Sequence, residues 1–207
     1  MLTRRAFATT ALAAGIALIT GPASAQESRI EAMLGDDGLY HQPWFLNSFL
    51  DLKDDLAEAA EAGKRFALIW EQRGCPYCRE THAVNFARPE INEFVRENFN
   101  ILQLDIWGSR EVTDFDGEAL EERALARKWG IVFTPTIMFF DDSVEKVAGR
   151  SGPEAEVVRM PGYFKPYHFI TMFEYVKESA YKTTHFQRYL QDKGDRLRAQ
   201  GIEIELW

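Results

Sequence analysis

Phe66-Ala67-Leu68-Ile69-Trp70-Glu71-Gln72-Arg73-Gly74-Cys75-Pro76-Tyr77-Cys78 is the stretch on which the reading of this chain turns. Phe66 to Trp70 is a short continuous apolar run, the mark of a strand buried on both faces. A helical pattern opens at Cys75, the first of the only two cysteines in the chain. The first turn of a helix carries unpaired N–H groups and the positive end of the helix dipole, and both stabilise negative charge. A cysteine placed there can ionise well below the free thiol value of about 8.5. The pair therefore points to thiol–disulfide exchange, with Cys75 as the nucleophile, Cys78 as the resolving thiol and a redox-active Cys75–Cys78 disulfide between them.

Plainer readings of the same pair stay open. A tetrahedral zinc site built on two cysteines needs further Cys or His ligands, and His41, His82, His168 and His185 are scattered without ligand spacing. A structural disulfide over so short a loop gains little entropy. Two buried thiols fit poorly with Pro76-Tyr77 between them.

The flanks of the chain speak to compartment and partners. Arg4-Arg5 precedes an apolar run from Ala11 to Ile19, then Gly21-Pro22, then the small residues Ala23-Ser24-Ala25. That is the layout of an export signal of twin-arginine type, residues 1–25, cleaved after Ala25. The general secretory route and an uncleaved anchor are the alternatives. The run falls short of the roughly 20 residues that a membrane span needs. An exported chain works in the periplasm, where disulfides persist. The chain of 207 residues carries 24 basic side chains against 32 acidic, and losing Arg4 and Arg5 makes it more negative still. This disfavours nucleic acid and anionic membrane surfaces as partners, and no nucleic acid is expected.

About 180 residues remain, enough for one domain. Residues 26–44 are predicted as a polar tether, 45–180 as the domain and 181–207 as a C-terminal helical extension. Within the domain, Phe49, Leu52, Leu56 and Ala59-Ala60 predict an amphipathic helix over 45–62, closed by Gly63. A helix from Cys75 to about Phe86, another after Pro89, and a strand from Ile101 to Ile106 follow. After a charged stretch, 107–118, a helix carries Leu120, Ala124 and Leu125. Ile137–Phe140 and Val144–Ala148 flank Asp141-Asp142-Ser143 and predict a hairpin. Phe169, Met172, Phe173 and Val176 stripe a helix, and a more polar one is expected from Tyr181 to Ala199. The order predicts an α/β fold, a central mixed sheet flanked by helices, with the cysteines at the carboxyl end of a central strand.

Two further stretches carry a family resemblance. Lys128-Trp129-Gly130-Ile131, then Thr134-Pro135-Thr136 and Ile137-Met138-Phe139-Phe140, follow the cysteines at the distance seen in the thioredoxin superfamily, which this chain resembles over Phe66 to Val176. The resemblance implies the thioredoxin fold, with N-terminal and C-terminal helical extensions, and a cis Thr134–Pro135 bond. It also implies that Thr134 and Pro135 align an extended client segment. More narrowly, Trp70-Glu71-Gln72, Leu104-Asp105-Ile106-Trp107-Gly108, Arg110 to Phe115 and Pro161-Gly162-Tyr163 are similar to SoxW-type thioredoxin-related proteins of bacterial sulfur oxidation. Tyr77 and Gly162, with the loop Pro161 to Tyr163, are then substrate-binding candidates.

Departures from that pattern matter. Pro76-Tyr77 is a glutaredoxin-like dipeptide, yet the glycine pair that would hold glutathione is absent. Ile69 stands where many thioredoxins carry a buried acid. Glu71 is then the candidate proton acceptor for Cys78, with an exposed solvating Glu as the plain reading. His82, four residues after Cys78, can tune the thiols or simply pack, and Arg73 and Arg79 flank the motif. The expected activity is a thioredoxin-like reductase of client protein disulfides, sulfur-carrier proteins among them if the narrower resemblance holds. It needs no cofactor, and it draws electrons from an upstream thiol donor such as a membrane reductase. A disulfide oxidant or isomerase, a copper(I) metallochaperone using Cys75, Cys78 and His82, and a binding module without exchange are the alternatives.

Overall fold

The computed structural model of the protein describes residues 30–203. The expected export segment, 1–25, lies outside the described residues, as do positions 204–207. Two short strands, β1 (Met33–Leu34) and β2 (Tyr40–His41), pair antiparallel at the start. Helix α1 (Leu52–Glu61) leads to β3 (Arg65–Glu71), then α2 (Pro76–Glu80), which continues as a π-helical turn over Thr81–Phe86. Next come α3 (Pro89–Asn98), β4 (Phe99–Asp105), a small hairpin of β5 (Glu111–Thr113) and β6 (Ala119–Glu121), and α4 (Glu122–Lys128). The second half holds β7 (Thr136–Phe140), α5 (Val144–Val147), α6 (Gly152–Ala155), β8 (Glu156–Pro161), α7 (Pro166–Lys177) and α8 (Phe186–Ala199).

The central sheet runs β4-β3-β7-β8, with β3 parallel to β4 and the other neighbours antiparallel. Strand β3 is buried throughout, as its unbroken apolar run predicts. Alternation of its side chains divides the core in two. Phe66, Leu68 and Trp70 face Leu52 and Leu56 of α1, Leu125 of α4, Phe115 and Phe140. Ala67 and Ile69 face Phe86, Val95 of α3, and Phe169 and Phe173 of α7. The sheet is thus covered on both faces, and the cysteines follow the carboxyl end of β3, as expected.

Some elements differ from the sequence reading. The first helix begins at Leu52, not residue 45, because Asp51 caps it by accepting the N–H groups of Lys53 and Asp54 at 3.0 and 3.3 Å. Phe49, expected on its apolar stripe, is fully exposed. The hairpin expected around Asp141-Asp142-Ser143 does not form. Val144 and Val147, three apart, turn to one face of α5 and pack on the core. The strand that pairs with β7 is β8. Residues 30–44, predicted as a polar tether, lie against the body: Leu39 and Gln42 are buried, Trp44 packs edge-on to Phe86, and the Tyr40 carbonyl accepts from Gln103 at 2.7 Å. At the other end, Tyr175 of α7 packs against Tyr181, Phe186 and Tyr189, which holds α8 to the body. No helix among the described residues is long and apolar enough to cross a membrane.

Helix α1 also carries a pH-dependent penalty. Burial pushes the Asp55 carboxyl up to about 6, against the bond from Ser48 and with Glu58, Asp51 and Asp54 adding to it. The folded chain keeps this proton to a higher pH than the unfolded chain, where Asp titrates near about 3.9. Stability therefore falls as pH rises from about 4 to about 6, and the cost is complete above that. Asp55→Asn is expected to stabilise the protein at pH 7.5 by about 1 kcal/mol, after allowing for solvent screening. Urea titrations across this range check it: the gain disappears below about pH 4.

Candidate active site

Cys75 occupies the N-cap position of α2, with Pro76 in the first turn, where its missing N–H costs nothing. Cys75 and Cys78 are joined by a disulfide with Cα atoms 5.2 Å apart. Cys75 is 6% exposed and Cys78 2%, so the first is the more accessible, but both are largely covered. The expectation that Pro76-Tyr77 keeps the pair from burial is corrected to that extent. The Cys78 N–H donates to Cys75 Sγ at 3.0 Å, which realises the expected helix-start donor.

Opposite the pair, the Thr134–Pro135 bond is cis, as the resemblance implied. Thr134 Oγ1 and the Thr134 carbonyl oxygen each lie 3.4 Å from Cys75 Sγ. The Pro135 carbonyl accepts the Gly162 N–H at 2.7 Å, and Gly162 turns there with φ of +86°, a conformation that favours glycine. Tyr163 stacks on Tyr77 with ring centroids 6.3 Å apart. Tyr77, Thr134, Pro135 and Gly162 are therefore gathered around the disulfide. Tyr77, Trp107, Val132 and Phe133 leave large apolar surface open to solvent.

Glu71 ends β3 completely buried, so the plain reading of an exposed, solvated carboxylate is corrected. Its oxygens accept from His82 Nε2 at 3.2 and 3.3 Å and from Gln103 Nε2. Gln42 Oε1 accepts from Asn92 Nδ2 at 3.0 Å, which orients its amide so that Nε2 donates to His82 Nδ1 at 3.2 Å. His82 Nδ1 is thus an acceptor, and its Nε2–H points at Glu71. His82 packs, as its plain reading had it, and it packs with a defined polar partner on each ring nitrogen. That leaves neither nitrogen to serve as a third copper ligand beside the cysteines. Among the described residues no group of three or more His, Cys, Asp or Glu side chains is placed to hold a metal ion. Arg73 donates to the Asp37 carbonyl at 2.9 and 3.1 Å, tying the N-terminal segment to the motif's edge.

Sequence reasoning passed over Gln42, Gln72, Asn92 and Gln103. One signal was present: Gln103 interrupts the apolar run Ile101 to Ile106, and a polar side chain inside a buried strand requires a partner. Gln72 offered no such signal, being a polar residue in a loop. Its amide nitrogen donates to Thr134 Oγ1 at 2.9 Å and its oxygen accepts from Trp107 Nε1 at 2.8 Å.

Two sulfurs that close a ring at a helix start, with donors aimed at one of them, can alternate between dithiol and disulfide; this chemistry defines a thiol–disulfide oxidoreductase. A family model described as the thioredoxin-like domain matches residues 52–177, and the chain belongs to that family. Its central mixed sheet and flanking helices are those of the thioredoxin fold, to which extra segments are added at both ends. Among solved structures the chain is similar to a thioredoxin-fold protein from Helicobacter pylori at 18% identity, covering 69% of this chain and 98% of that one, with a TM-score of 0.48. A thioredoxin from Thermus thermophilus shows 21% identity over 61% of this chain and 83% of its own, with a TM-score of 0.46. The C-terminal domain of Neisseria meningitidis DsbD in its oxidised form shows 18% identity over 59% and 86%, with a TM-score of 0.38. No curated protein matches the chain.

Proposed function

We propose that this protein is a periplasmic reductase of client protein disulfides, exported by its first 25 residues and serving a sulfur-oxidation system. The observation that carries the exchange chemistry is the convergence of the Cys78 N–H and the Thr134 hydroxyl on Cys75 Sγ, beside a cis-proline, while the reductase direction rests on the family resemblance. Donors so placed stabilise an attacking thiolate. The Arg4-Arg5 signal supports export, and the stretches similar to SoxW-type proteins support the link to sulfur oxidation.

In the reaction, the Cys75 thiolate attacks one sulfur of a client disulfide, and the client's other sulfur leaves as a thiolate and takes up a proton. Cys78, deprotonated, then attacks the Cys75 sulfur of the mixed disulfide and expels the second client thiolate. Two electrons pass to the client and the Cys75–Cys78 disulfide closes. An upstream thiol donor, such as a membrane reductase, returns it to the dithiol. Thr134 and Pro135 align the client strand, with Tyr77 and Gly162 at its sides. Glu71 accepts the Cys78 proton, its carboxylate held by His82 and Gln103. Glu71→Gln is expected to slow closure of the mixed disulfide about 100-fold and leave the first attack intact, as rapid-quench kinetics on a model disulfide can resolve.

The reduction potential of the pair, measured in glutathione buffers, tests the direction of flow. A value near about −270 mV supports a client reductase, and one near about −120 mV makes the protein a disulfide donor instead.

A further inference from the structure

We propose that Gln72 and Trp107 are positioning residues for Cys75: together they hold the Thr134 hydroxyl as a hydrogen-bond donor to the attacking sulfur. The inference rests on the reading of Cys75 as the nucleophile. Trp107 Nε1 can only donate, so the atom of Gln72 that it meets at 2.8 Å is the amide oxygen. That fixes the amide's orientation and leaves Nε2 to donate to Thr134 Oγ1 at 2.9 Å. With an incoming donor on its oxygen, the Thr134 hydroxyl proton is free to point at its other polar neighbour, Cys75 Sγ, at 3.4 Å. The chain runs one way, from indole to amide to hydroxyl to sulfur, and each bond polarises the next.

Trp107 is 66% exposed, yet it is not loosely placed. Its own N–H donates to Asp105 Oδ1 at 2.9 Å, and the Gly108 N–H donates to the Asp105 carbonyl at 2.9 Å. The turn is braced from below by the buried Glu122 carboxylate, which accepts the N–H groups of Asp105 and Arg110 at 3.0 and 3.2 Å and also binds the Arg110 guanidinium. These bonds fix the backbone of the turn, and the indole's own hydrogen bond is the one to Gln72. The other charged side chains on the elements around Cys75 are Glu71, engaged by His82 and Gln103, Arg73, engaged by the Asp37 carbonyl, Arg79 and Glu80 on α2, and Asp105. Substitutions in the chain leave all of them in place.

Donation to Cys75 stabilises its thiolate and hence the reduced pair, so breaking the chain makes the disulfide harder to reduce. The test is the glutathione equilibrium constant and the thiolate absorbance titration of the full mature chain, measured for Gln72→Met, Trp107→Phe, Thr134→Val and the Gln72→Met/Thr134→Val double variant. Thr134→Val is expected to lower the equilibrium constant about tenfold, equivalent to about 30 mV, since it deletes the bond to a charged sulfur. Gln72→Met is expected to lose about threefold, and Trp107→Phe, which keeps an aromatic side chain but loses the indole N–H, about twofold. The thiolate midpoint rises in the same order. The double variant is expected to match Thr134→Val alone, because with the hydroxyl gone Gln72 has nothing to orient. An unchanged constant in both Gln72→Met and Trp107→Phe overturns the proposal, and so does a double variant whose loss is the sum of the singles. Which cysteine reacts first is read separately, by alkylating the reduced protein and mapping the labelled peptide. Labelling at Cys78 removes the nucleophile reading, and the four potentials still judge the chain.

Discussion

Cys78→Ser is expected to stop turnover and to accumulate clients as mixed disulfides on Cys75, while Cys75→Ser is expected to be inactive and to trap nothing. The asymmetry follows from what each sulfur touches. Cys75 Sγ lies 3.0 Å from the Cys78 N–H and 3.4 Å from the Thr134 hydroxyl, and it is the more accessible of the two. Cys78 lies one turn into the helix and almost fully covered, so an incoming disulfide meets Cys75 first. A serine at 78 keeps the Cys78 N–H donor, which belongs to the backbone, and removes only the group that resolves the intermediate. Turnover of a model disulfide should fall by more than about 1,000-fold in either variant, the loss expected when half of a two-group covalent mechanism is deleted. Non-reducing electrophoresis distinguishes them, because only Cys78→Ser gives high-mass bands that dissolve in reductant. Adducts on Cys75→Ser in place of Cys78→Ser would exchange the roles of the two cysteines.

How far this site could be seen beforehand depends on how local each part of it is. Cys75 and Cys78 declare themselves through four consecutive residues, and the helix start that activates them is legible in the same window. Thr134, Pro135 and Gly162 came from the family resemblance, since nothing in their composition says that they face a disulfide some 60 to 90 residues earlier in the chain. Gln72 and Trp107 stand in stretches that carry the narrower resemblance, which assigns neither of them a role. A glutamine in a loop and a tryptophan in a charged stretch become significant only once β3 and β4 lie side by side and bring Glu71 opposite Asp105. The spacing of His82 from Cys78 is legible in the sequence, but its partners Gln42 and Glu71, and Asn92 that orients Gln42, are contributed by three separate segments.

The same distinction sorts the fold. Strands β3 and β4 and helices α3 and α7 were legible because burial on both faces, or a single apolar stripe, writes a period into the sequence. The hairpin after β7 was misread because Val144 to Ala148 is apolar enough for a strand, whereas its valines at spacing three serve one face of a short helix. Tertiary packing overrode β propensity there. The segment before Trp44 was misread for the opposite reason. Its polar residues suggest solvent, yet Gln42 is buried because His82 and Asn92 need exactly the donor and acceptor that its amide carries.

Asp114→Ala is expected to cost about 3–5 kcal/mol of folding stability, the range for removing one member of a buried charged cluster. Asp114 is completely buried, and its carboxylate accepts from Lys128 Nζ at 2.8 Å, Trp129 Nε1 at 2.9 Å, Ser151 Oγ at 3.1 Å and the Phe115 N–H at 2.7 Å. It therefore joins the end of α4, the residue that opens α6 and the β5–β6 turn through one side chain. Truncation strands the indole N–H of Trp129 in a core where its ring packs against Trp70, Phe115 and Phe140. For a domain of this size that amounts to a fall in Tm of about 10 °C, measurable by calorimetry or circular dichroism. Lys128→Met is the informative contrast. It removes the cation but leaves Asp114 its three remaining donors, and Lys128 is itself partly solvated beside Asp116 and Glu118. Its cost is expected to be smaller, about 1.5–3 kcal/mol, the size of one bond to a charged group, because three donors still hold the carboxylate. Equal losses in the two variants would mean that the ion pair holds this corner together; the expected inequality means that the carboxylate does so, by satisfying Trp129, Ser151 and the backbone at once.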